Sequence, residues 1–568
     1  MPALAAKIRV VARSGLGALP FSLATATLLL FQIGYSFETG DQLQYLLLPY
    51  REIFPNFLPG DWFTWQTSHY HLSFAWIVRA LDALAGHPGL PRAMFALHCA
   101  TLAAFGYAIW RLARAFGLGL FESSFCVLMF GVVRQIGLAG ALIDHAGLVP
   151  ADLALAPFLL ACAAFCERRL LALGAWLGLS GLMHANYAVL GPLCLFPLEA
   201  LRVRDWRNWR AWRSPLMAAV AFALIAAPTL VLLVGTFLAK DSDPAAVAVT
   251  LFVRSPHHYD LFAMRPDEFE FGALLVLLAA PYWWRQLRAR SLPLQLMAAM
   301  AAVLSIGLLG SGLHIVSLSR LFAWRMSIPL FALLLLGVGD TLHRAIAEHA
   351  VVRLVWLSAG IAAMISFAQS DPLQASPWNT NTRLAISLLF AFAGATYAQL
   401  RTPHRPSLEP VRTTFSLLGS AIAVAIAIHV VSTPTWDGRR TVRWSGLHWL
   451  EGRIELDPPA HRLFALVRAR TPEDARFLIP PGLQLFRMQA RRAIFVDWKC
   501  APMKGDEALE WQRRMLLAIG TPTFPARGYD LPRAADALYF ARPIDELRVL
   551  AKHEGLTHLL VRSSNLRG

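Results

Sequence analysis

The stretch LGALPFSLATATLLLFQIGYSF (residues 16–37) runs without a single charged side chain. An α-helix needs about 20 apolar residues to cross the core of a bilayer, so this run is long enough to span a membrane. Lys7, Arg9 and Arg13 precede it, as in a secretory signal. The run is too long for a signal-peptide core, however, and shows no clear A-x-A cleavage site. The sequence therefore predicts an uncleaved first transmembrane helix.

Apolar runs of this kind recur along most of the 568 residues, of which 56% are hydrophobic and 15% are charged. A soluble domain carries about 25% charged residues, and an outer-membrane β-barrel alternates polar with apolar residues. The composition therefore excludes a soluble enzyme, a disordered protein, a secreted disulfide scaffold and such a barrel. It predicts an α-helical polytopic membrane protein. About thirteen spans are predicted, at residues 16–36, 93–111, 120–140, 151–167, 170–186, 188–201, 215–237, 271–284, 293–313, 321–338, 354–370, 383–400 and 413–431.

Lysine and arginine exceed aspartate and glutamate by 52 − 36 = 16. With the N-terminus inside, every second loop is rich in arginine, at residues 111–114, 168–169, 202–213, 285–290, 344–353 and 401–412. Cytoplasmic loops carry this excess in membrane proteins, so the positive charge needs no nucleic acid as a partner. Thirteen spans from an inside start predict a bacterial inner-membrane protein whose residues after 431 lie in the periplasm.

Two regions outside the spans complete the predicted architecture. The long first outer loop, 37–91, contains amphipathic stretches at 43–54 and 71–84, which predict helices lying in the membrane interface. The C-terminal residues return to a soluble composition and predict a small α/β unit. Its predicted helices are 461–470, 507–519 and 544–554, and its predicted strands are 476–479, 493–496 and 557–561. The predicted domains are thus a transmembrane domain, 1–431, and a soluble periplasmic domain, 432–568.

Two acids in the predicted outer loops are candidates for chemistry. Asp41 follows the first span, and Asp144 and His145 end the third. Each aspartate has a structural explanation, because Asp is favoured at helix N-caps. Each also has a functional one, since two carboxylates at one membrane depth can divide the roles of base and binding group or share a divalent metal such as Mg²⁺ or Mn²⁺.

The remaining candidates are cations and histidines on the outer side. Arg320 and Arg325 flank the tenth span, where the positive-inside rule disfavours them. Arginine suits bidentate recognition of phosphate, although a snorkelling or ion-paired arginine is the alternative. Residues 254–260 (RSPHHYD) contain Arg254, His257 and His258, and residues 69–71 (HYH) contain His69. We predict substrate contact for these residues and for His145 in preference to metal ligation, because adjacent histidines rarely point the same way.

This layout resembles the GT-C superfamily of membrane glycosyltransferases, which use sugars linked to polyprenyl phosphate. The resemblance covers nearly the whole chain in layout, and it is carried by DQLQYLLLPYREIFPNFLPGDWF (41–63), RSPHHYD (254–260) and RRAIFVDWKCAPMKGDEALEWQRR (491–514). It implies a GT-C-like fold and inverting transfer of a hexosyl or pentosyl group from the lipid phosphate to an extracytoplasmic lipid, glycan or protein.

The resemblance also implies roles for particular residues. Asp41 would act as the base, Asp144 would hold the acceptor or a metal, and Arg320 or Arg325 would bind the phosphate. The family's acid pair after the first span is displaced here, since two residues separate Glu38 from Asp41. Which of these two acids acts is therefore left open.

Two other classes of function fit the same features. A transporter or flippase for a lipid-linked or anionic substrate could use the same arginines, and a non-catalytic scaffold could share the fold. The chain contains no P-loop, which argues against ATP-driven transport. An enzyme should lose its activity on Asp41→Asn, whereas a transporter or scaffold should tolerate that change.

Overall fold

The protein was analysed as a computed structural model. It describes residues 18–33, 35–132, 137–141, 147–238, 244–350 and 458–563, together with residues 353–354, 357–358 and 360–361. The predicted spans 383–400 and 413–431, and most of 354–370, lie outside the described residues. The predicted domain boundary at 431/432 does so as well.

The first part of the chain is a bundle of apolar helices. They are Ala18–Ile33, Leu90–Ala115, Leu120–Val132, Pro150–Cys166, Leu170–Met183, Ala185–Ala200, Trp209–Leu238, Pro266–Ala289, Leu292–Gly312 and Ser327–Ala347. Within the described residues, four helical segments are long and apolar enough to cross a membrane: His87–Ala115, Trp209–Gly235, Leu292–Gly312 and Val316–Ala347. The predicted helical membrane class is confirmed, and the count of thirteen spans stays a prediction.

Two predicted spans differ from the structure at one end. The span predicted at 120–140 is wrong at its carboxyl end, because Gly137 is extended and Leu138–Gly140 forms a 3₁₀ turn. The glycines of the sequence GLAG favour this break, and Gly140 has a φ of +64°. The span predicted at 321–338 starts too early in the sequence. The helix Ser327–Ala347 begins only after a 3₁₀ turn that carries Arg325.

Small residues allow two helices of the bundle to pack closely. A Cβ added at Gly174 would lie 2.1 Å from the carbonyl oxygen of Ala218, and one at Gly178 would lie 2.8 Å from Cβ of Ile225. Both contacts join Leu170–Met183 to Trp209–Leu238. Close approach over small residues is a common basis of helix association in membranes, where lipid removes the hydrophobic driving force between helices.

Short helices and turns lie between the long helices of the bundle. The α-helical ones are Gln42–Tyr45, Leu47–Ile53, Trp62–Gln66, Leu72–Ala85, Pro244–Val249, Pro256–Tyr259 and Val316–Ser319, and Thr250–Arg254 is a π-helical turn. The helices predicted at 43–54 and 71–84 are confirmed as helices. The first of them breaks at Leu46, between Gln42–Tyr45 and Leu47–Ile53.

The C-terminal region is a small α/β unit, as predicted. Its three strands, β1 (Arg476–Leu478), β2 (Ala493–Ile494) and β3 (His558–Leu559), form a parallel sheet in the order β2-β1-β3. Its helices are Pro458–Arg470, Phe486–Ala490, Gly505–Ile519, Asp530–Ala541 and Ile544–His553. Phe486–Ala490 and Asp530–Ala541 were not predicted. Parallel neighbours require crossover connections, and the helices supply them.

The C-terminal region shares a hydrophobic core with the first outer loop. Leu47, Tyr50 and Phe63 from the loop are buried in one cluster with Val496 and Trp511 from the C-terminal region. Burying a large apolar side chain contributes roughly 1.5–3 kcal/mol. This shared core holds the C-terminal region against the loop 37–91.

Candidate functional site

Asp41 meets a loop of the C-terminal region, residues 496–503, which follows β2. Lys499 Nζ donates to Asp41 Oδ1 at 2.5 Å, and the thiol of Cys500 lies 3.8 Å from the carbonyl oxygen of Leu43. The Asp41 side chain stays 39% exposed. It makes no side-chain capping bond to the helix Gln42–Tyr45, so the capping explanation of this residue is wrong. Asp41 is a partly open carboxylate paired with a lysine.

Two of the candidate arginines reach the same loop. Arg254 donates to the carbonyl oxygens of Trp498 (2.9 Å) and Lys499 (2.5 Å), and its guanidinium lies 5.1 Å from the Trp498 ring. Arg320 donates to the carbonyl oxygen of Met503 at 3.2 Å. Burial lowers the pKa of Arg254. The 496–503 loop is thus held from three sides, by Asp41, Arg254 and Arg320.

A buried ion triad anchors the start of this loop. Arg487 donates to Asp61 Oδ2 at 3.0 Å and to Asp497 Oδ2 at 2.5 Å. Asp497 Oδ1 accepts from the amide of Cys500 at 2.6 Å. The three charged side chains are at most 3% exposed. Sequence reasoning missed the triad, because Asp61 and Arg487 lie far apart in the chain and show no spacing signal.

Arg325 occupies a different position from the other two arginines. Its Nε is buried without a hydrogen-bond partner in the described structure, and its guanidinium lies 5.2 Å from the Phe322 ring. Phe322 in turn contacts the ring of His258, with 5.5 Å between the ring centroids. Arg325 and His258 therefore pack on the same aromatic ring.

Burial keeps the rings of His258 and His71 uncharged at physiological pH. Burial lowers the pKa of His258 to about 4, and burial together with Arg325 lowers the pKa of His71 to about 4. His258 Nδ1 lies 2.6 Å from the carbonyl oxygen of Ala139, which can only accept, so this nitrogen carries the proton. The rings of His71 and Tyr45 lie 4.8 Å apart. His258 and His71 thus present uncharged rings.

The other two candidate histidines have separate environments. His257 stacks on Tyr529 with a centroid distance of 4.1 Å, which joins residues 254–260 to the C-terminal region. His69 Nε2 lies 3.2 Å from the carbonyl oxygen of Thr64. Burial lowers the pKa of His69 to about 4. His69 thus contacts the backbone of its own loop, and its predicted substrate contact stays a prediction.

Glu38 points to partners other than those of Asp41. Its Oε1 accepts from Tyr50 Oη at 2.7 Å and from Arg491 Nη2 at 2.5 Å. Its Oε2 is 3.5 Å from Gln489 Nε2, and its backbone has a φ of +59°. The two acids near the first span therefore serve two different environments.

Asp144 and His145 lie outside the described residues, so their predicted roles stay predictions. The described residues on both sides of them contact the candidate site. Ala139 binds His258 through its carbonyl oxygen, and Leu148 accepts a 3.0 Å hydrogen bond from Gln42, the neighbour of Asp41. Among the residues that the structure describes, no group of three or more His, Cys, Asp or Glu side chains could hold a metal ion.

A family model described as a domain of unknown function (DUF6798) matches residues 459–518, within the C-terminal region. No curated protein matches the chain.

Two solved structures are similar to the chain at low identity. ArnT from Cupriavidus metallidurans bound to undecaprenyl phosphate is 16% identical over 88% of both chains, with a TM-score of 0.42. The archaeal oligosaccharyltransferase AglB from Archaeoglobus fulgidus, in complex with an inhibitory peptide and a dolichol-phosphate, is 11% identical, with a TM-score of 0.49. That match covers 96% of this chain and 69% of AglB. At TM-scores below 0.5, these two similarities carry no argument about this chain.

Proposed function

We propose that the chain is an integral membrane glycosyltransferase. It would move a hexosyl or pentosyl group from a polyprenyl-phosphate donor to an acceptor on the outer side of the membrane. The observation that carries this proposal is the buried Nε of Arg325, which has no hydrogen-bond partner in the described structure, together with the partly exposed carboxylate of Asp41. Such a transfer needs a base for the acceptor hydroxyl and a cation for the departing phosphate.

In the proposed reaction, the acceptor hydroxyl oxygen attacks the anomeric carbon opposite the lipid phosphate. Its proton passes to the Asp41 carboxylate as the new carbon–oxygen bond forms. The bond from the anomeric carbon to the phosphate oxygen breaks with inversion, and the phosphate leaves with the bonding electrons. The Arg325 guanidinium stabilises that charge.

The environment of Arg325 supports its proposed role. The buried Nε without a hydrogen-bond partner gives a ligand one donor to satisfy. Arg254 and Arg320, in contrast, donate to backbone carbonyl oxygens of the 496–503 loop. Among the three arginines predicted to bind substrate, Arg325 therefore fits phosphate best. Asp144 is proposed to hold the acceptor.

Binding of undecaprenyl phosphate to the full-length protein in nanodiscs tests the role of Arg325. A hydrogen bond to a charged group contributes about 1.5–3 kcal/mol, so Arg325→Gln should weaken binding roughly 10- to 150-fold. Arg79→Gln is the matched control, because Arg79 is an exposed arginine of the outer loop that pairs with Glu52. Equal affinity of Arg325→Gln and the wild type would refute the phosphate role.

Asp41→Asn tests the transfer step in cells. Envelope glycans and glycolipids of a deletion strain would be profiled by mass spectrometry after complementation with wild type or variant. The proposal expects Asp41→Asn to bind undecaprenyl phosphate but to leave the deletion profile uncorrected. Full complementation by Asp41→Asn would favour the transporter or scaffold instead.

A further inference from the structure

A cavity of about 250 Å³ lies beside Glu38. Lys499, which pairs with Asp41, does not line this cavity. Glu38, Tyr50, His87 and Arg491 supply its polar lining, and Leu90 and Pro91 are among its apolar residues. Leu90 begins the helix Leu90–Ala115, so the cavity sits at the outer end of a membrane-spanning helix. Small-molecule sites usually measure roughly 300–1,000 Å³, and a cavity slightly below that range suits one ring-sized group.

The charges lining the cavity nearly cancel. Glu38 and Arg491 form an ion pair at 2.5 Å, and Tyr50 donates to the same carboxylate oxygen of Glu38. A phosphate entering the cavity would meet the Glu38 carboxylate at close range, and two like charges repel strongly where water is scarce. The lining therefore favours an uncharged ligand.

The lining also retains hydrogen-bonding capacity for a ligand. Arg491 Nη1 is buried and has no hydrogen-bond partner within the described part of the chain. Glu38 Oε2 has a contact of 3.5 Å to Gln489, at the limit of a hydrogen bond. A hydroxyl both donates and accepts, so neighbouring hydroxyls on one ring can satisfy a carboxylate and a guanidinium together.

We propose that this cavity binds the neutral sugar ring of the acceptor, carried on an apolar chain that lies against Leu90 and Pro91. The inference rests on the proposed function and deepens it. The donor's phosphate requires a net positive site, which Arg325 offers and the Glu38 cavity does not. The cavity therefore suits the substrate that carries no phosphate. Glu38, which lines the cavity, is three positions from Asp41 in the sequence. Glu38 is then a positioning residue for the acceptor, with Asp41 as the base.

Photolabelling of the full-length protein in phosphatidylcholine nanodiscs tests this inference. The probe is an alkyl glucoside with a diazirine in its chain, and labelled peptides are located by mass spectrometry. Labelling is expected on peptides that contain Phe37 or Leu90. It should be displaced by an excess of unlabelled alkyl glucoside but not by an alkyl phosphate of the same chain length.

Two variants separate ligand binding from folding. Arg491→Gln removes the donor, and its labelling should fall at least tenfold, the equivalent of about 1.4 kcal/mol. His87 is half-exposed and lines the cavity, so His87→Trp fills the cavity and leaves the Glu38–Arg491 ion pair in place. It should reduce labelling similarly. Arg476→Gln is the matched control, since Arg476 lines another cavity, beside Trp62, and its labelling should equal that of the wild type.

Several outcomes would overturn the inference. Undiminished labelling in His87→Trp, or a preference of the same peptides for the alkyl phosphate, would show that the cavity is not a neutral sugar site. Arg325→Gln should lose undecaprenyl phosphate yet keep the glucoside label. A wild-type protein that takes the glucoside label but binds no undecaprenyl phosphate would refute the proposed function while supporting the sugar site.

Discussion

The buried triad of Asp61, Arg487 and Asp497 gives the sharpest prediction about stability. Asp61 is fully buried and accepts four hydrogen bonds: from Arg487 Nε (3.0 Å), the amide of Ile494 (3.1 Å), and the amide and hydroxyl of Thr64 (2.9 and 2.8 Å). Asp61→Ala removes one of the two carboxylates that neutralise a buried guanidinium. Breaking a buried ion pair in this way costs about 3–5 kcal/mol.

The hydrogen-exchange rate of the Cys500 backbone amide measures this loss of stability at the 496–503 loop. The amide of Cys500 donates to Asp497, so it reports whether the start of the 496–503 loop stays closed. A loss of about 3–5 kcal/mol corresponds to roughly 150- to 4,000-fold faster exchange. Asp545→Ala removes half of an exposed ion pair with Arg548 and should leave the rate unchanged. A change below about threefold in Asp61→Ala would refute the anchoring role of the triad.

Two further predictions concern pH and helix packing. Burial lowers the pKa of His69, His71 and His258 from 6.5 to about 4, so the unfolded chain binds more protons between these pH values. Thermal stability should therefore fall as the pH drops from 6.5 to 4. The slope of melting temperature against pH should be smaller for His258→Gln. An unchanged slope would count against a buried neutral His258. Gly174→Val places atoms against the Ala218 carbonyl, while a Cβ at Gly235 meets nothing within 4 Å. Gly174→Val should lower the melting temperature in detergent and Gly235→Ala should not, and equal melting temperatures would contradict the close packing of these helices.

Composition and periodicity predicted those parts of the fold that depend on local pattern. Charge-free runs predicted the helices of the bundle, and the alternation of apolar patterns predicted all three strands of the C-terminal region. The missed breaks have local causes that compete with hydropathy. Gly137 and Gly140 follow Arg134 and Gln135 in the sequence, and the predicted span extends too far because it runs across these polar and glycine residues.

The site was predictable only in its residue types. Asp41, Arg254 and Arg320 stood out as polar groups at the edges of apolar runs, and the structure brings all three to the 496–503 loop. Their partners could not be predicted, because Lys499 lies 458 residues from Asp41 and pairing at that distance depends on the tertiary fold. For the same reason, nothing in the sequence separated the environment of Glu38 from that of Asp41.

The contact of Lys499 with Asp41 makes the C-terminal region part of the candidate site. A proton acceptor for a hydroxyl must come within hydrogen-bonding reach of it, yet Asp41 in this arrangement already accepts from Lys499. An acceptor must therefore share that contact or displace the lysine. The triad fixes the loop that carries Lys499, so the position of the C-terminal region determines how open Asp41 is. If Asp41 is the base, the C-terminal region therefore supplies a contact that an acceptor at Asp41 must share or displace.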